Sequence, residues 1–331
     1  MITWGIVGNS HDASVAVFEE DRYGKLTCDW AGMSKDFSGI ENDAHLNKPM
    51  LKFIEANCPY PDEIVWYEKP FLKSLRQLQA GQGWLFKENN IKEYLAKWGF
   101  KQPIKYVKHH KSHAAYGYYT SGFRNATIMC LDSIGEYETF TIWQGKGDKL
   151  KKIYSQGYPH SVGLFYSAMT QRLGLKANRD EYQVEPGGRD IESAENLHLI
   201  NDMVATFLKG PVNGTKPGVK FKHNLHKGAN WYKPELSTEG DMKRLANATQ
   251  FVFEIILKSN SKWCLNNLPS RNLILTGGCA LNSVAVNQIK RNWNNIYVPK
   301  NPGDPGSCVG AVLALKEKHI DFNEKIWYNK S

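Results

Sequence analysis

The chain begins with the apolar run ITWGIVG at residues 2–8, breaks at the polar stretch NSHD at residues 9–12, and resumes as ASVAVF at residues 13–18. Two short apolar runs on either side of a polar turn are typical of paired β-strands. A third strand is expected at residues 25–30, after a turn at residues 23–24. The chain therefore opens with three predicted strands, and the first turn between them carries polar side chains.

A second copy of this arrangement follows near residue 126. Its predicted strands are again separated by two short turns and lie at residues 126–131, 139–144 and 149–154. Two copies of one unit, each followed by helical and strand segments, predict two related α/β domains that face each other across a cleft. We place these domains at residues 1–124 and 125–331. Two unrelated hairpins in a single sheet are the alternative.

This duplicated pattern resembles the sugar-kinase and actin-like ATPase superfamily, in which two ribonuclease-H-like domains surround a central cleft. The resemblance implies that the turns of both copies point into the cleft, where backbone N–H groups can meet phosphate. In the second copy we expect helices at residues 241–268 and 306–318 and strands at residues 272–275 and 296–299. Residues 209–234 are rich in Gly, Pro, Lys and Asn and predict an irregular basic insertion.

Composition narrows the class of protein. The 331 residues are 41% apolar and 23% charged, as in globular proteins, and no run of about 18 apolar residues predicts a membrane helix. With no leader-like start, we expect a cytoplasmic protein without a membrane partner. The six cysteines form no CxxC pair, which argues against a disulfide framework or a zinc ribbon. The net charge of +9 favours polyanionic partners, but it does not distinguish a nucleic-acid partner from a phosphorylated small molecule.

Two histidines and two aspartates predict a metal site. His109 and His113 are four residues apart, so on a helix both imidazoles project from one face. Asp132 ends the first strand of the second copy, and Asp304 precedes the last helix. This donor set suits iron(II), manganese or zinc better than magnesium. The alternative is a solvated basic helix start around the histidines.

Glycines and polar turns predict a ligand site in the same cleft. Gly277 and Gly278 stand between a strand and a helix, where a backbone can approach a nucleotide closely, although tight packing explains such a turn equally well. Gly135 and Glu136 occupy the opposing turn of the second copy. In the first copy, His11 can donate to a developing oxyanion or take part in proton transfer from an acceptor hydroxyl. The alternative for that turn is self-capping by polar side chains.

Six stretches resemble one known family, the O-carbamoyltransferases of nodulation-factor, cephem and aminoglycoside biosynthesis. They keep the family order from residue 2 to about residue 316 and lie at residues 5–14, 67–71, 109–119, 131–136, 277–283 and 303–306. The resemblance implies that a carbamoyladenylate, made from ATP and carbamoyl phosphate, binds in the cleft and is attacked by an acceptor hydroxyl. A metal would assist the transfer or anchor phosphate.

The resemblance also implies roles for individual residues. The implied metal ligands are His109, His113, Asp132 and Asp304. The implied catalytic residues are His11, Asp12 and Lys35, with His11 contacting the carbamoyl group. The implied contacts to the nucleotide are Gly277, Gly278 and Asn282. From the turns that face the cleft, we also expect contacts by Asn9, Ser10, Gly135 and Glu136, with a plain hairpin carboxylate as the alternative for Glu136. Around Lys35, residues 33–42 depart from the basic motif that is usual in the family.

Two further departures concern larger segments. Residues 181–184 (EYQV) lead into EPGGR at residues 185–189, where family members usually have a Met-Gly-Leu-Ala stretch. Family members also carry a C-terminal domain that makes the carbamoyladenylate, and this chain stops where that domain would begin. We therefore expect the domain to be supplied by another protein, or the chain to be a fragment.

The acceptor is predicted from the basic insertion. Residues 209–234 interleave lysines and histidines with Phe221, Trp231 and Tyr232, a mixture that can follow phosphates and stack on bases, or form a solvated loop. With the net charge, it favours a DNA or RNA acceptor, for example the hydroxymethyl group of 5-hydroxymethylcytosine in DNA. The alternatives are a sugar or antibiotic acceptor, threonylcarbamoyl transfer to tRNA, and a non-catalytic nucleotide-binding scaffold.

Overall fold

The computed structural model describes residues 1–185 and 194–328, and its first half is organised around a five-stranded sheet. The strands of this sheet are β1 (Ile2–Val7), β2 (Ser14–Glu20), β3 (Leu26–Met33), β4 (Glu63–Trp66) and β5 (Ile104–Tyr106). Their order is β3-β2-β1-β4-β5, with β1, β2 and β3 antiparallel and β4 and β5 parallel to β1. The central strand β1 is buried from Thr3 to Val7, which explains its apolar sequence.

A second five-stranded sheet repeats this plan. The later strands are β6 (Asn125–Leu131), β7 (Glu138–Lys146), β8 (Lys149–Gly157), a short ribbon of β9 (Leu208–Lys209) and β10 (Lys220–Phe221), and then β11 (Asn272–Thr276) and β12 (Asn295–Tyr297). The second sheet runs β8-β7-β6-β11-β12, with the first three strands antiparallel and the last two parallel to β6. The order and directions match the first sheet strand for strand. The predicted duplication is confirmed, and the chain has two ribonuclease-H-like units of the actin-like ATPase type.

Ten helices connect and cover the sheets in the described part of the chain. They are α1 (Lys35–Ser38), α2 (Lys48–Asn57), α3 (Pro70–Gln79), α4 (Ile91–Ala96), α5 (His109–Thr120), α6 (Val162–Arg172), α7 (Ala194–Phe207), α8 (Glu239–Asn267), α9 (Ser283–Ile289) and α10 (Ser307–Lys316). No helix within residues 1–185 and 194–328 is both long and apolar enough to cross a bilayer.

Helices α5 and α10 lie between the two sheets and pack against each other. Helix α10 follows the second sheet in sequence, yet it covers β1, β2 and β4 of the first. It is apolar on all sides and buried from Ser307 to Ala314, as expected for a helix enclosed by other elements. One hydrophobic core therefore joins both sheets, including Ile6 of β1 and Ile128 of β6. The division of the chain at residue 124 stays a prediction, and the packing of α10 crosses it.

Several element boundaries differ from the sequence prediction. Strand β3 runs to Met33 and β8 to Gly157, because their added residues continue the pairing with β2 and β7. The last helix is shorter than predicted and ends at Lys316, because Glu317 adopts a left-handed conformation with φ of 52°. Residues 186–189 of the divergent EPGGR stretch lie outside the described residues.

The basic insertion at residues 209–234 is mostly irregular, as predicted, but it is not a free surface loop. Phe221 and Tyr232 are each only 3% exposed and belong to the core of the second unit, whereas Trp231 is half exposed. The expectation that all three rings stack on bases is therefore wrong for Phe221 and Tyr232. Their burial anchors the insertion to the second sheet and its helices.

Candidate metal centre in the cleft

The four predicted metal ligands come together where the two units meet. His109 and His113 lie on successive turns of α5, Asp132 directly follows β6, and Asp304 begins the single 3-10 turn Asp304–Gly306 before α10. One ligand atom from each residue lies within 4.8 Å of the ligand atoms of the other three. All four side chains are buried. The structure thus gathers residues from three separate segments into one cluster.

The spacing of these atoms fits a shared cation. The Nε2 atom of His109 lies 3.0 Å from Nε2 of His113, 3.2 Å from Oδ1 of Asp304 and 3.3 Å from Oδ2 of Asp132. Nε2 of His113 lies 3.6 Å from the same Asp304 oxygen. Metal bonds of about 2.1 Å place neighbouring ligand atoms roughly 3.0–3.5 Å apart. The donor atoms therefore have the separations expected around one ion.

Charge and protonation agree with this interpretation. Burial disfavours the charged forms, but the aspartates outweigh it and raise the pKa of His109 well above its usual value. In turn, the histidines hold the pKa values of Asp132 and Asp304 below their usual range. If a divalent cation took the place of the proton on His109, neutral imidazoles and two carboxylates would leave two negative charges for the cation to balance.

The histidines are not a solvated helix start, because His109, His110 and His113 are all at most 2% exposed. His110 points away from the cluster, with Nδ1 3.0 Å from Oγ1 of Thr141. Burial and the nearby charge of His109 lower the pKa of His110 to about 3, so this ring is neutral. The side chain of His110 therefore supports the helix without joining the candidate centre.

The polar turn between β1 and β2 reaches the cluster from the first unit. Asn9 and Asp12 have positive φ values of 56° and 59°, so the backbone is left-handed at both ends of this turn. Ser10 Oγ donates to Oδ2 of Asp304 at 3.4 Å, and Nε2 of His11 lies 3.9 Å from the same oxygen. The His11 side chain is 47% exposed, so partial desolvation opposes its charge only incompletely, and Asp12 and Asp304 outweigh this effect and raise the pKa of His11 to about 9.

Asp12 links this turn to Lys35. Oδ2 of Asp12 lies 3.9 Å from Nδ1 of His11, and Oδ1 lies 3.8 Å from Nζ of Lys35 at the start of α1. The Lys35 side chain is 41% exposed, so among these three residues it is the one that leads toward solvent from the buried Asp304. The three predicted catalytic residues therefore form a line that leads outward from Asp304.

Glu136 and Gly135, predicted to contact the nucleotide, pack against the start of α5. Oε1 of the buried Glu136 accepts hydrogen bonds from the backbone N–H groups of Lys69 at 2.6 Å and His109 at 3.0 Å. Burial raises the pKa of Glu136 to about 7, although these bonds and His109 favour its charged form. A Cβ at Gly135 would lie 3.1 Å from the His109 ring. Both residues thus fix His109, and their contact with a nucleotide stays a prediction.

The glycine turn after β11 holds Asp132. Gly277 has a φ of 86°, and a Cβ there would lie 2.2 Å from the carbonyl oxygen of Leu131. The N–H of Gly278 donates to Oδ1 of Asp132 at 3.2 Å. Asn282, also predicted to contact the nucleotide, is buried and caps α9 through the N–H of Ala285 at 2.9 Å. Its contact with a nucleotide stays a prediction.

Three contributors to the centre were not among the predicted site residues. Oγ of Ser307 lies 3.3 Å from Nδ1 of His113, and the ring of Tyr67 lies 5.3 Å from that of His109 between centroids. Glu68, next to Tyr67, forms a buried ion pair with Lys73 at 2.7 Å. Ser307 could have been found from its position three residues after Asp304. Tyr67 and Glu68 carried no signal beyond their place in a matched stretch.

Comparison with known proteins places the chain in a family. The chain is 29% identical over 302 residues to the protein sll1178 of Synechocystis sp., covering 80% of this chain and 49% of that protein. It is 25% identical to nodulation protein NolNO of Sinorhizobium fredii over 65% of this chain and 32% of that protein. HypF of T. kodakarensis superposes with a TM-score of 0.44 at 11% identity, covering 96% of this chain and 47% of that one.

The chain spans about half the length, or less, of the curated relatives that it matches. A family model described as carbamoyltransferase N-terminus matches residues 65–313. The match covers most of the chain and includes all four clustered residues, His109, His113, Asp132 and Asp304. The chain therefore belongs to the carbamoyltransferase N-terminus family.

Proposed function

We propose that this chain is the transferase part of an O-carbamoyltransferase. It would move a carbamoyl group from carbamoyladenylate, formed from ATP and carbamoyl phosphate, to the hydroxyl group of an acceptor. The hydroxyl oxygen would bond to the carbamoyl carbon as the bond from that carbon to the phosphate oxygen breaks, with AMP as the leaving group and the hydroxyl proton released to a base or to water. The observation that carries this proposal is the convergence of His109, His113, Asp132 and Asp304 in the cleft of a chain from this family. A domain that forms the adenylate would come from a longer protein or from another chain.

The cluster would hold a divalent transition metal, iron(II), manganese or zinc. When bound, such an ion polarises a carbonyl or phosphoryl oxygen as a Lewis acid. Neighbouring groups orient two of the four ligand side chains. Ser307 lies next to Nδ1 of His113, which leaves the lone pair of Nε2 facing the cluster, and the Gly278 N–H fixes one oxygen of Asp132.

His11 is the proposed donor to the carbamoyl oxygen. Its ring lies between Asp12 and Asp304, each 3.9 Å from a ring nitrogen, and this environment favours the protonated form. If Asp304 shares its charge with a cation, Asp12 remains as the partner of the ring. A protonated imidazole stabilises the negative charge that develops on the carbamoyl oxygen during attack. Lys35 adds a positive charge beside Asp12.

The donor nucleotide is proposed to lie between the opposing turns. A Cβ at Gly278 would lie only 3.3 Å from Oδ1 of Asp132, so glycine lets the backbone of this turn approach the carboxylate closely. Asn9 and Ser10 would contact the nucleotide from the first unit, and Gly135 and Glu136 from the second. Gly277 and Asn282 would shape the turn that receives it.

For the acceptor we propose a hydroxyl group on nucleic acid, such as the hydroxymethyl group of 5-hydroxymethylcytosine in DNA. The net charge of +9 and the exposed lysines of the ribbon, Lys209, Lys220 and Lys222, support this choice. A sugar or antibiotic hydroxyl is the alternative acceptor.

The test is a transfer assay with ATP, carbamoyl phosphate and a panel of acceptors, with and without an adenylate-forming domain. The panel contains an oligonucleotide with 5-hydroxymethylcytosine, an aminoglycoside and a simple sugar, and mass spectrometry detects the gain of one carbamoyl group. We expect one acceptor to gain this mass with the wild-type chain and not with His113→Ala. His198→Ala, at an exposed position on α7, is the matched control. Wild-type protein that modifies no acceptor while carbamoyladenylate is present would contradict the proposal.

A further inference from the structure

Helix α3 has its polar face turned inward. Lys73, Ser74 and Arg76 are buried, whereas Phe71 and Leu75 are 62% and 43% exposed. Surface helices normally bury their apolar residues and expose their charged ones. Buried charges need partners, because removing them from water is costly. The inner face of α3 must therefore meet polar groups beside the cleft.

Two of the three buried polar side chains have full partners. Nζ of Lys73 pairs with Oε1 of Glu68 at 2.7 Å and donates to the carbonyl oxygen of Asn9 at 3.1 Å. Oγ of Ser74 accepts from Nδ2 of Asn89 at 2.8 Å. These contacts tie α3 to the turn after β1. They also show what a buried cation with a structural role has in this region, because Lys73 is paired with a carboxylate.

Arg76 has no such direct ion pair among the described residues, although Glu68 favours its charge from a longer distance. Its side chain is 7% exposed, and its Nη1 donates to the neutral Oε1 of Gln82 at 3.1 Å. Within residues 1–185 and 194–328, Nε of Arg76 has no hydrogen-bond partner and no carboxylate forms an ion pair with the guanidinium. Burial lowers the pKa of Arg76, yet a guanidinium stays charged in proteins. A buried cation with an unused donor marks a place for an anion.

His226 brings a second unused donor from the other unit. Oε1 of Gln82 faces Arg76, which fixes the amide so that Nε2 of Gln82 donates to Nε2 of His226 at 3.1 Å. The proton of a neutral His226 must then lie on Nδ1. Burial and the charge of Arg76 lower the pKa of His226, which favours the neutral ring. Its Nδ1 is buried and, among the described residues, has no partner.

These donors lie near the candidate metal centre. Burial lowers the pKa of Arg76, and Glu68, Tyr158 and Tyr67 act in the opposite direction, which places these side chains in its surroundings. The Tyr67 ring in turn lies 5.3 Å from the ring of His109. On the other side, the ring of His226 lies 5.9 Å from that of Tyr158. An anion held here would therefore belong to a molecule in the cleft and not to a distant surface site.

We propose that Arg76 and His226 form a binding site for a substrate phosphate group. Arginine suits phosphate because its planar guanidinium presents several donors at once. The identity of the ligand rests on the proposed function, in which both the adenylate donor and a nucleic-acid acceptor carry phosphate. The binding of phosphate itself does not require that any carbamoyl transfer occurs.

The experiment measures the midpoint of thermal unfolding of the whole chain against three probes without a carbamoyl donor. The probes are inorganic phosphate, AMP and an oligonucleotide with 5-hydroxymethylcytosine. We expect the midpoint of the wild-type chain to rise with probe concentration and the apparent affinity of Arg76→Met to fall about tenfold or more. Arg291→Met, at an exposed position, is the matched control and should respond as wild type. Without probe, Arg76→Met should unfold at the same or a higher temperature, because it removes a buried charge that no carboxylate contacts directly.

The pattern of responses identifies the source of the phosphate. A stronger effect of AMP than of the oligonucleotide assigns the site to the donor, and the reverse assigns it to the acceptor. If Arg76→Met does not fold, Arg76→Lys and His226→Ala replace it, and each should weaken binding several-fold. A wild-type chain that responds to no probe, or variants that respond as strongly as wild type, would overturn the site. Loss of transfer with intact, Arg76-dependent binding would instead count against the proposed function alone.

Discussion

At the scale of single residues, the orientation of the His113 ring depends on Ser307. The Ser307 hydroxyl lies 3.3 Å from Nδ1, on the side of the ring opposite the cluster. A partner at Nδ1 keeps the proton there and the lone pair of Nε2 free for a cation. The prediction for this residue follows from that geometry.

We predict that Ser307→Ala lowers the affinity for the metal by about tenfold, as the loss of such outer partners does. Competition with a chelating dye measures the affinity. Ser261→Ala removes an equally buried hydroxyl that accepts from Trp293 far along α8, and it should leave the metal affinity unchanged. Equal affinities for Ser307→Ala and wild type would show that the His113 ring needs no such partner.

The sequence predicted the four clustered residues for physical reasons. His109 and His113 share one helix face by spacing alone, and Asp132 and Asp304 fall at the ends of elements that face the cleft. Ser307 and Arg76 could not be predicted in this way. The role of Ser307 depends on how closely α10 approaches α5, and that of Arg76 depends on an inward polar face that reverses the usual pattern of a helix.

At the scale of elements, the contact of α10 with β1 requires a glycine. A Cβ at Gly5 would lie 1.9 Å from the carbonyl oxygen of Cys308, so no side chain fits without moving the helix or the strand. We predict that Gly5→Ala lowers the free energy of unfolding by about 3 kcal/mol, as in overpacked cores. Unfolding in urea measures the change.

The control for that substitution is Gly240→Ala, in the first turn of α8. A Cβ there meets nothing closer than the Thr238 hydroxyl at 3.8 Å, so the change should raise the free energy of unfolding by up to about 1 kcal/mol. A Gly5→Ala protein that is as stable as wild type would mean that α10 and β1 can separate at little cost.

The end of α10 is held to the first sheet by ion pairs. Nζ of Lys316 lies 3.0 Å from Glu20 of β2 and 3.2 Å from Glu63 of β4. Lys318 and Lys316 lower the pKa of Glu20, and, against the effect of burial, Lys105 and Lys316 lower that of Glu63. Because both pKa values fall below 4.5 in the folded protein, this stabilisation is complete above pH 4.5 and is lost as the pH falls through the folded values.

We therefore predict that Lys316→Met lowers the free energy of unfolding by about 2 kcal/mol at neutral pH. The difference from wild type should shrink when urea unfolding is repeated at a second pH well below 4.5, because both carboxylates become protonated as the pH falls through their lowered pKa values. Lys97→Met, at an exposed position after α4, should match wild type at both pH values. A difference that persists unchanged in acid would show that Lys316 acts through packing alone.

The strands and helices that flank the site were predictable because each carries a clear apolar pattern. The position of α10 was not, since an apolar helix packs equally well on either sheet. The strands that precede α10 in the sequence belong to the second sheet. The glycine that lets a strand approach α10 closely, Gly5, belongs to the first sheet. The prediction that the rings of Phe221 and Tyr232 stack on bases was wrong for a related reason. Sequence alone does not distinguish an aromatic ring on a surface from one in a core.

At the scale of the whole molecule, the candidate centre joins parts of the chain that are far apart in sequence. Helix α5, the end of β6 and the turn before α10 each supply ligands, and α5 and α10 belong to the core that spans both sheets. An ion bound there stabilises the folded state of the whole chain, because it binds the assembled ligands and not the unfolded chain. Without an ion, the raised pKa of His109 favours a protonated ring that forms ion pairs with both Asp132 and Asp304.

We predict that a chelator lowers the midpoint of thermal unfolding of metal-loaded protein and that Asp304→Asn removes this response. The stabilisation should reach about 3 kcal/mol when the free metal exceeds its dissociation constant about a hundredfold. Asp148→Asn, which changes an exposed aspartate paired with Arg124, should keep the full response. Because the histidines hold the pKa of Asp304 well below its usual value in the folded protein, Asp304→Asn also removes ion pairs with His109 and His113, and its midpoint without metal should lie below that of metal-free wild type. A metal response that survives in Asp304→Asn would mean that the ion binds elsewhere and that the cleft cluster is only a network of ion pairs.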